Sequence, residues 1–98
     1  MRLSILEQDF LYYETKKLIP KGRVYIFGSR ADDSKKGGDK DVLIVGDRRL
    51  TLKEKHQLIV DYWKKFGEQK LDILSRTLED DDAFYMYIKE NAIEIKPR

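Results

Sequence analysis

The chain has 98 residues, which predicts a single domain over residues 1–98, near the lower size limit for an independent hydrophobic core. Its 20 basic and 18 acidic side chains leave a formal net charge of +2, so bulk charge gives no strong signal for a nucleic-acid partner. It has no cysteine and one histidine, which excludes disulfides, thiolate nucleophiles and zinc sites built from cysteine or from several histidines.

The first predicted element is a helix over residues 3–19. Ser4 and Glu7 have the spacing of a capping box at its start, and Pro20 and Gly22 end it. Five apolar residues fall near one predicted face of this helix: Ile5, Leu6, Phe10, Tyr13 and Leu18.

Three short apolar segments predict strands. Arg23–Phe27 is rich in β-branched and aromatic residues and is followed by Gly28, whereas residues 41–45 are nearly all apolar and are expected to be buried on both faces. Residues 70–74 predict a third short strand. Between the first two strands, residues 29–38 are small, polar and charged, and they indicate a loop with room for one helical turn.

The clearest helical pattern covers Leu52–Phe66, with Thr51 as the predicted N-cap and Gly67 as the C-terminal stop. Four apolar residues recur there at helical spacing: Leu52, Ile59, Trp63 and Phe66. After an acidic run that suits the positive end of a helix, residues 83–91 predict a last helix and residues 93–95 a final strand or extended tail. This alternation predicts an α/β or α+β fold, a small mixed sheet with helices packed on it.

The chemically informative residues surround the first predicted loop. Gly28 has no Cβ and lets the backbone approach a ligand closely. Ser29 offers a hydroxyl and a backbone N–H, and a helix beginning just after it would form an anion-binding end suited to phosphate. Asp39 and Asp41 are two residues apart, so on a strand both carboxylates face one side while Lys40 faces the other.

The third predicted strand adds one more carboxylate, Asp72, to the pair formed by Asp39 and Asp41. Two carboxylates on one face repel each other unless a cation or proton intervenes, and Mg²⁺ suits oxygen ligands. Asp72 lies inside an apolar run, where an unpaired carboxylate is costly. If the third strand lies beside the second, Asp72 reaches Asp39 and Asp41, and three carboxylates would support one or two Mg²⁺ ions for phosphoryl-group transfer.

The pattern of Gly28-Ser29, nine residues, Asp39-x-Asp41 and Asp72 on a later strand resembles the polymerase-β-type nucleotidyltransferase superfamily. More narrowly, it is similar to the minimal nucleotidyltransferase (MNT) domains of prokaryotes. The resemblance covers nearly the whole chain, because the predicted elements also follow the family's order. It therefore implies a nucleotidyltransferase-like fold.

The resemblance also implies an activity, a cofactor and a partner. The family moves a nucleoside monophosphate, by default AMP from ATP, to a hydroxyl with the help of Mg²⁺. The implied catalytic and metal-binding residues are Asp39, Asp41 and Asp72. The implied phosphate-binding residues are Gly28, Ser29 and Arg30. MNT domains of this size often act as antitoxins of HEPN-domain toxins, so a HEPN-type toxin is the expected partner, modified on a hydroxyl and thereby silenced.

Several alternatives stay open. Asp39 and Asp41 could belong to an ordinary strand entry, and Asp72 could be one half of a salt bridge. Ser29 could cap a helix without binding a ligand. The protein could be a catalytically idle module that neutralises its partner by contact, or a nucleotidyltransferase for a small-molecule alcohol, for which one domain offers few walls. A dinucleotide-binding unit is disfavoured because no G-x-G-x-x-G is present.

The sequence also suggests where the protein acts. No apolar run approaches the ~20 residues needed to cross a membrane. The first ten residues lack the charged, apolar and small regions of a signal peptide. We therefore expect a cytoplasmic protein with no membrane partner, and whether it forms a homo-oligomer stays open.

Overall fold

Four strands form one mixed sheet in the computed structural model, which describes residues 3–28 and 40–97. The elements in chain order are α1 (Ile5–Leu18), β1 (Arg23–Phe27), β2 (Lys40–Gly46), α2 (Leu52–Phe66), β3 (Leu71–Thr77), α3 (Ala83–Lys89) and β4 (Ile93–Glu94). The strand order is β3-β2-β1-β4, with β1 antiparallel to β2 and β4, and β2 parallel to β3. Parallel strands need a long crossover connection, which α2 provides. The described residues thus form an α+β fold, which confirms the predicted fold class.

Helices cover both faces of the sheet. On one face, α1 and α2 pack over a core that includes Leu11, Val24, Ile26, Val42, Ile44, Leu58 and Tyr62. On the other face, α3 covers a smaller core made of Phe27, Leu43, Val45, Tyr85 and Ile88. Neighbouring residues of β2 therefore contribute to opposite cores, which confirms that this apolar strand is buried on both faces.

The predicted helix starts are confirmed by their hydrogen bonds. Ser4 Oγ accepts a 3.1 Å hydrogen bond from the backbone N–H of Glu7, and Glu7 Oε1 accepts one of 3.0 Å from the backbone of Ser4. Thr51 and Glu54 form the same reciprocal pair at the start of α2. These capping boxes satisfy backbone donors that a helix start leaves unpaired. None of the helices in the described ranges is long and apolar enough to cross a membrane.

The predicted apolar face of α1 is only partly right, because Phe10 and Leu18 pack against the core and the other three residues do not. Ile5, Leu6 and Tyr13 are between half and two-thirds exposed, whereas Leu11 and Thr15 are fully buried. The buried stripe instead takes every third or fourth residue through Leu11 and Thr15. Because the buried stripe includes the polar residue Thr15, a count of apolar residues alone does not show its helical period.

The predicted face of α2 needs a smaller correction. The buried residues are Leu58 and Tyr62, with Ile59, Trp63 and Phe66 packed partly against the same core. Leu52 is 67% exposed, because it lies in the first turn at the edge of the buried stripe.

The end of the chain follows the prediction with shifted boundaries. β3 continues to Thr77, three residues beyond the predicted strand, whereas α3 stops two residues early, at Lys89. The acidic run before α3 serves the helix start, as expected, because Asp82 accepts a hydrogen bond from the backbone of Tyr85 and is the N-cap. Asp82 also pairs with Arg76 at 2.8 Å, which lowers the pKa of its carboxyl.

Candidate functional site

Two carboxylates meet at one end of the sheet. Asp41 is the second residue of β2 and Asp72 the second residue of β3, and they occupy facing positions of the parallel pair. Their Cα atoms are therefore about 4.8 Å apart. Both side chains lie on the α3 side of the sheet, since Leu43, two residues after Asp41, belongs to the core under α3. Asp41 is half-buried and Asp72 is exposed, so the pair can be reached from solvent.

Gly28 lies directly beside this carboxylate pair. It follows β1, whose last residue, Phe27, pairs with Asp41. Its φ of +70° lies in the left-handed region that favours glycine. A Cβ placed on Gly28 would be 2.8 Å from Asp41 Oδ2, closer than real Cβ atoms approach a neighbour. The missing side chain thus lets the Asp41 carboxylate lie directly against the Gly28 backbone.

The remaining predicted site residues, Ser29, Arg30 and Asp39, lie outside the described residues. Within residues 3–28 and 40–97, no three histidine, cysteine, aspartate or glutamate side chains are grouped so that they could hold a metal ion. The described part of the predicted metal site therefore consists of Asp41 and Asp72. Asp39 directly precedes β2 in the sequence.

Lys40 points away from the carboxylates, as the alternation along a strand predicts. On the α1 and α2 side of the sheet, its Nζ donates to Glu7 Oε2 at 2.5 Å and lies 3.4 Å from the Tyr62 hydroxyl. The Tyr62 hydroxyl also donates to Glu7 Oε2. The Lys40 and Glu7 side chains are only 15% and 12% exposed. We call Glu7, Lys40 and Tyr62 the Lys40 cluster.

The Lys40 cluster shifts the protonation of its members. Burial alone would raise the pKa of Glu7, but hydrogen bonds from Lys40, Tyr62 and Ser4 outweigh it and lower the pKa to about 2. Burial and the neighbouring Glu7 carboxylate raise the pKa of Tyr62, so its hydroxyl stays a hydrogen-bond donor. The cluster joins α1 and α2 to β2 at the residue next to Asp41.

Sequence reasoning missed the Lys40 cluster. Glu7 and Lys40 are 33 residues apart, and Glu7 already had a role as a capping residue. The available signal was Lys40 itself, a charged residue next to a strand expected to be buried on both faces. A buried lysine requires a partner, and Glu7 lies on the buried side of α1, four residues before Leu11.

Comparisons with known proteins agree on the class of domain. A family model described as a nucleotidyltransferase domain matches residues 12–96. A chain of a toxin-antitoxin crystal structure with AMP-PNP is similar, with a TM-score of 0.69 and 14% identity over 93% of this chain and 73% of that one. A chain of a tri-AMPylated Shewanella oneidensis HEPN toxin in complex with MNT antitoxin has a TM-score of 0.64 and 15% identity, over 95% and 71% of the two chains. No curated protein matches the sequence.

Proposed function

Because the chain belongs to the nucleotidyltransferase domain family, we propose that it transfers a nucleoside monophosphate from a nucleoside triphosphate, ATP by default, to a hydroxyl group. The observation that supports this activity most is the position of Asp41 and Asp72 at one register of two parallel strands. Gly28 strengthens the argument, since any residue with a Cβ at this position would displace the Asp41 carboxylate.

The described donor set fits a divalent metal ion. Two carboxylates at facing positions repel each other, and hard cations such as Mg²⁺ prefer oxygen ligands. Asp41 and Asp72, together with Asp39, would hold Mg²⁺. When bound, Mg²⁺ would neutralise charge on the transferring phosphoryl group.

In the proposed reaction, the acceptor hydroxyl oxygen forms a bond to the α-phosphorus of ATP. The bond from the α-phosphorus to the oxygen bridging to the β-phosphate breaks, and pyrophosphate leaves with the bonding electrons. The hydroxyl proton passes to Asp72, whose exposed carboxylate an acceptor can approach. The proposed role of Gly28, Ser29 and Arg30 is to hold the β- and γ-phosphates.

Gly28→Ala is expected to reduce transfer more than it reduces stability. The positive φ costs an alanine about 1 kcal/mol. The added methyl group must also displace the Asp41 carboxylate, which lies 2.8 Å from the Cβ position. Thermal unfolding measures the first effect, and initial rates with α-labelled ATP measure the second.

The matched control is Gly67→Ala. Gly67 also has a positive φ, +93°, but no other part of the described chain lies within 4 Å of its Cβ position. The Gly67→Ala variant should therefore lose stability through backbone strain and keep its transfer rate per folded molecule. Equal losses of transfer in the two variants would contradict the role of Gly28 beside Asp41.

We propose that the acceptor is a hydroxyl of a HEPN-type toxin. The support is that this fold is similar to chains from toxin-antitoxin complexes, one solved with AMP-PNP and one with a tri-AMPylated HEPN toxin. Under this proposal the chain acts as the antitoxin, and AMPylation silences the partner. The formal net charge of +2 is close to neutral and does not favour a nucleic-acid acceptor instead.

The test incubates the purified chain, Mg²⁺ and a HEPN-domain protein of the same organism with ATP labelled at the α- or the γ-phosphate. We expect α-label on the HEPN protein, no γ-label, and loss of the signal with EDTA. Label from the γ-phosphate alone would indicate a kinase and contradict the proposal. A stable complex that inhibits the toxin without any α-label would favour the contact-only module.

A further inference from the structure

A groove on the α3 side of the sheet opens next to the carboxylate pair. It has a volume of about 400 Å³ and is lined by Phe27, Gly28, Phe84, Tyr87, Ile88 and Asn91. Gly28 is shared between the groove and the surroundings of Asp41, whose Oδ2 is 2.8 Å from the Cβ position of this glycine. A ligand that reaches the carboxylates past Gly28 can therefore extend into the groove.

Two of the aromatic rings that line the groove are exposed to solvent. Phe84 is 55% exposed and Tyr87 is 70% exposed, although both lie on a short helix whose other face is buried. Phe84 is held by an edge contact with Phe27, with ring centroids 6.4 Å apart. Exposed aromatic rings are stacking surfaces for planar bases, and such stacking works for any base.

The polarity of the groove separates it from a phosphate site. Among the lining residues that the structure describes, none carries a charge, and the one amide side chain is that of Asn91. A triphosphate requires cations or several N–H donors, whereas a base and ribose require apolar surface and a few hydrogen bonds. The amide of Asn91 can donate and accept at a base edge, a pairing that asparagine makes with adenine.

We propose that this groove binds the base and ribose of the nucleoside triphosphate, with Tyr87 and Phe84 as stacking residues and Asn91 as the residue that contacts the base edge. The proposal rests on the nucleotidyltransferase function proposed above. The volume fits, since small-molecule sites have volumes of about 300–1,000 Å³. The triphosphate then extends from the groove past Gly28 to Asp41 and Asp72.

The test compares two probes in calorimetric titrations with Mg²⁺: ATP, which has a nucleoside, and inorganic tripolyphosphate, which has none. Tyr87→Ala and Phe84→Ala should each weaken ATP binding by about tenfold, because stacking on the ring is lost. Neither variant should change tripolyphosphate binding. Tyr87→Phe keeps the ring and should bind ATP as the unmodified chain does. Asn91→Ala should reduce the preference for ATP over CTP.

The matched control is Tyr13→Ala, which removes a 53% exposed tyrosine from α1 and should change neither titration. ATP binding that is unchanged in Tyr87→Ala and Phe84→Ala, or absent from the unmodified chain, would overturn the proposal. Unchanged ATP binding together with weaker binding of the HEPN protein would assign the groove to protein docking instead. The transfer assay tests the proposed function separately. ATP binding that depends on the groove, without any transfer, would contradict the proposed function and still support base binding in the groove.

Discussion

Replacing Asp41 with asparagine should slow nucleotidyl transfer by roughly 10³-fold or more while the protein stays folded. Asparagine has nearly the same shape as aspartate but no charge, so it weakens the site for a divalent cation beside the transferring phosphoryl group. Asp41 faces Asp72 across the parallel pair, and the two carboxylates are expected to act together. The measurement is kcat with α-labelled ATP at saturating ATP and acceptor, alongside thermal unfolding of the same preparation.

The matched control for Asp41→Asn is Asp47→Asn. Asp47 follows the other end of β2, is exposed, and lies away from Asp72 and Gly28. Transfer by this variant should equal that of the unmodified chain. Asp72→Asn should behave as Asp41→Asn does, because it removes the facing carboxylate. If Asp41→Asn retained most of its activity, the carboxylate pair would not be the catalytic centre.

The same variant separates the two leading functions. An enzyme that silences its partner by AMPylation loses both transfer and neutralisation when the carboxylates are removed. A module that acts by contact keeps neutralisation. Asparagine has nearly the same shape as aspartate, and Asp41 is not part of the core under α1 and α2, so the substitution leaves the packing of the fold unchanged. Toxin activity in the presence of Asp41→Asn therefore distinguishes a chemical from a steric mechanism.

Local features of the fold could be predicted from the sequence because local physics determines them. The bounds of Arg23–Phe27 and Leu52–Phe66 agree with the structure residue for residue. Each is marked by short-range signals: β-branched and aromatic residues before a glycine in the first, and a capping residue with a glycine stop in the second. Such signals need no knowledge of the rest of the chain.

Features that depend on contacts between distant elements could not be predicted in this way. The buried face of α1 includes Thr15, so apolar residues alone indicated a face of which only Phe10 and Leu18 pack against the core. The Lys40 cluster joins three elements through hydrogen bonds that span up to 55 residues. Periodicity describes which residues share a face, but the partner element decides which face is buried.

The candidate site could be predicted from the sequence only in part. The sequence predicts that Asp39 and Asp41 share one strand face, because the period of a strand is two, but only Asp41 lies within the described residues. The approach of Asp72 depended on a condition that the sequence left open, namely that β3 lies beside β2. The parallel register meets this condition for Asp41 and Asp72. Their chemical roles are what the variants above would establish.

Glu7→Ala is expected to destabilise the protein by about 3 kcal/mol at neutral pH. The substitution removes the carboxylate that accepts from Lys40, Tyr62 and the backbone of Ser4, and it leaves a charged amine that is only 15% exposed without its ion-pair partner. Chemical denaturation measures the loss. The control is Glu14→Ala, which breaks the pair with the 71% exposed Lys17 and should cost less than about 1 kcal/mol. Equal losses in the two variants would contradict the role of the Lys40 cluster.

The stability difference between the unmodified chain and Glu7→Ala should also depend on pH. Folding lowers the pKa of Glu7 from 4.5 to about 2, because hydrogen bonds from Lys40 and Tyr62 favour the carboxylate despite burial. The unfolded chain therefore takes up this proton before the folded chain does, so the contribution of Glu7 is fully present above about pH 4.5 and is lost as the pH falls towards 2. Unfolding curves measured from pH 7 down to acid should converge for the two proteins. A difference that stays constant over this range would show that Glu7 stabilises the fold by packing, with no contribution from its charge.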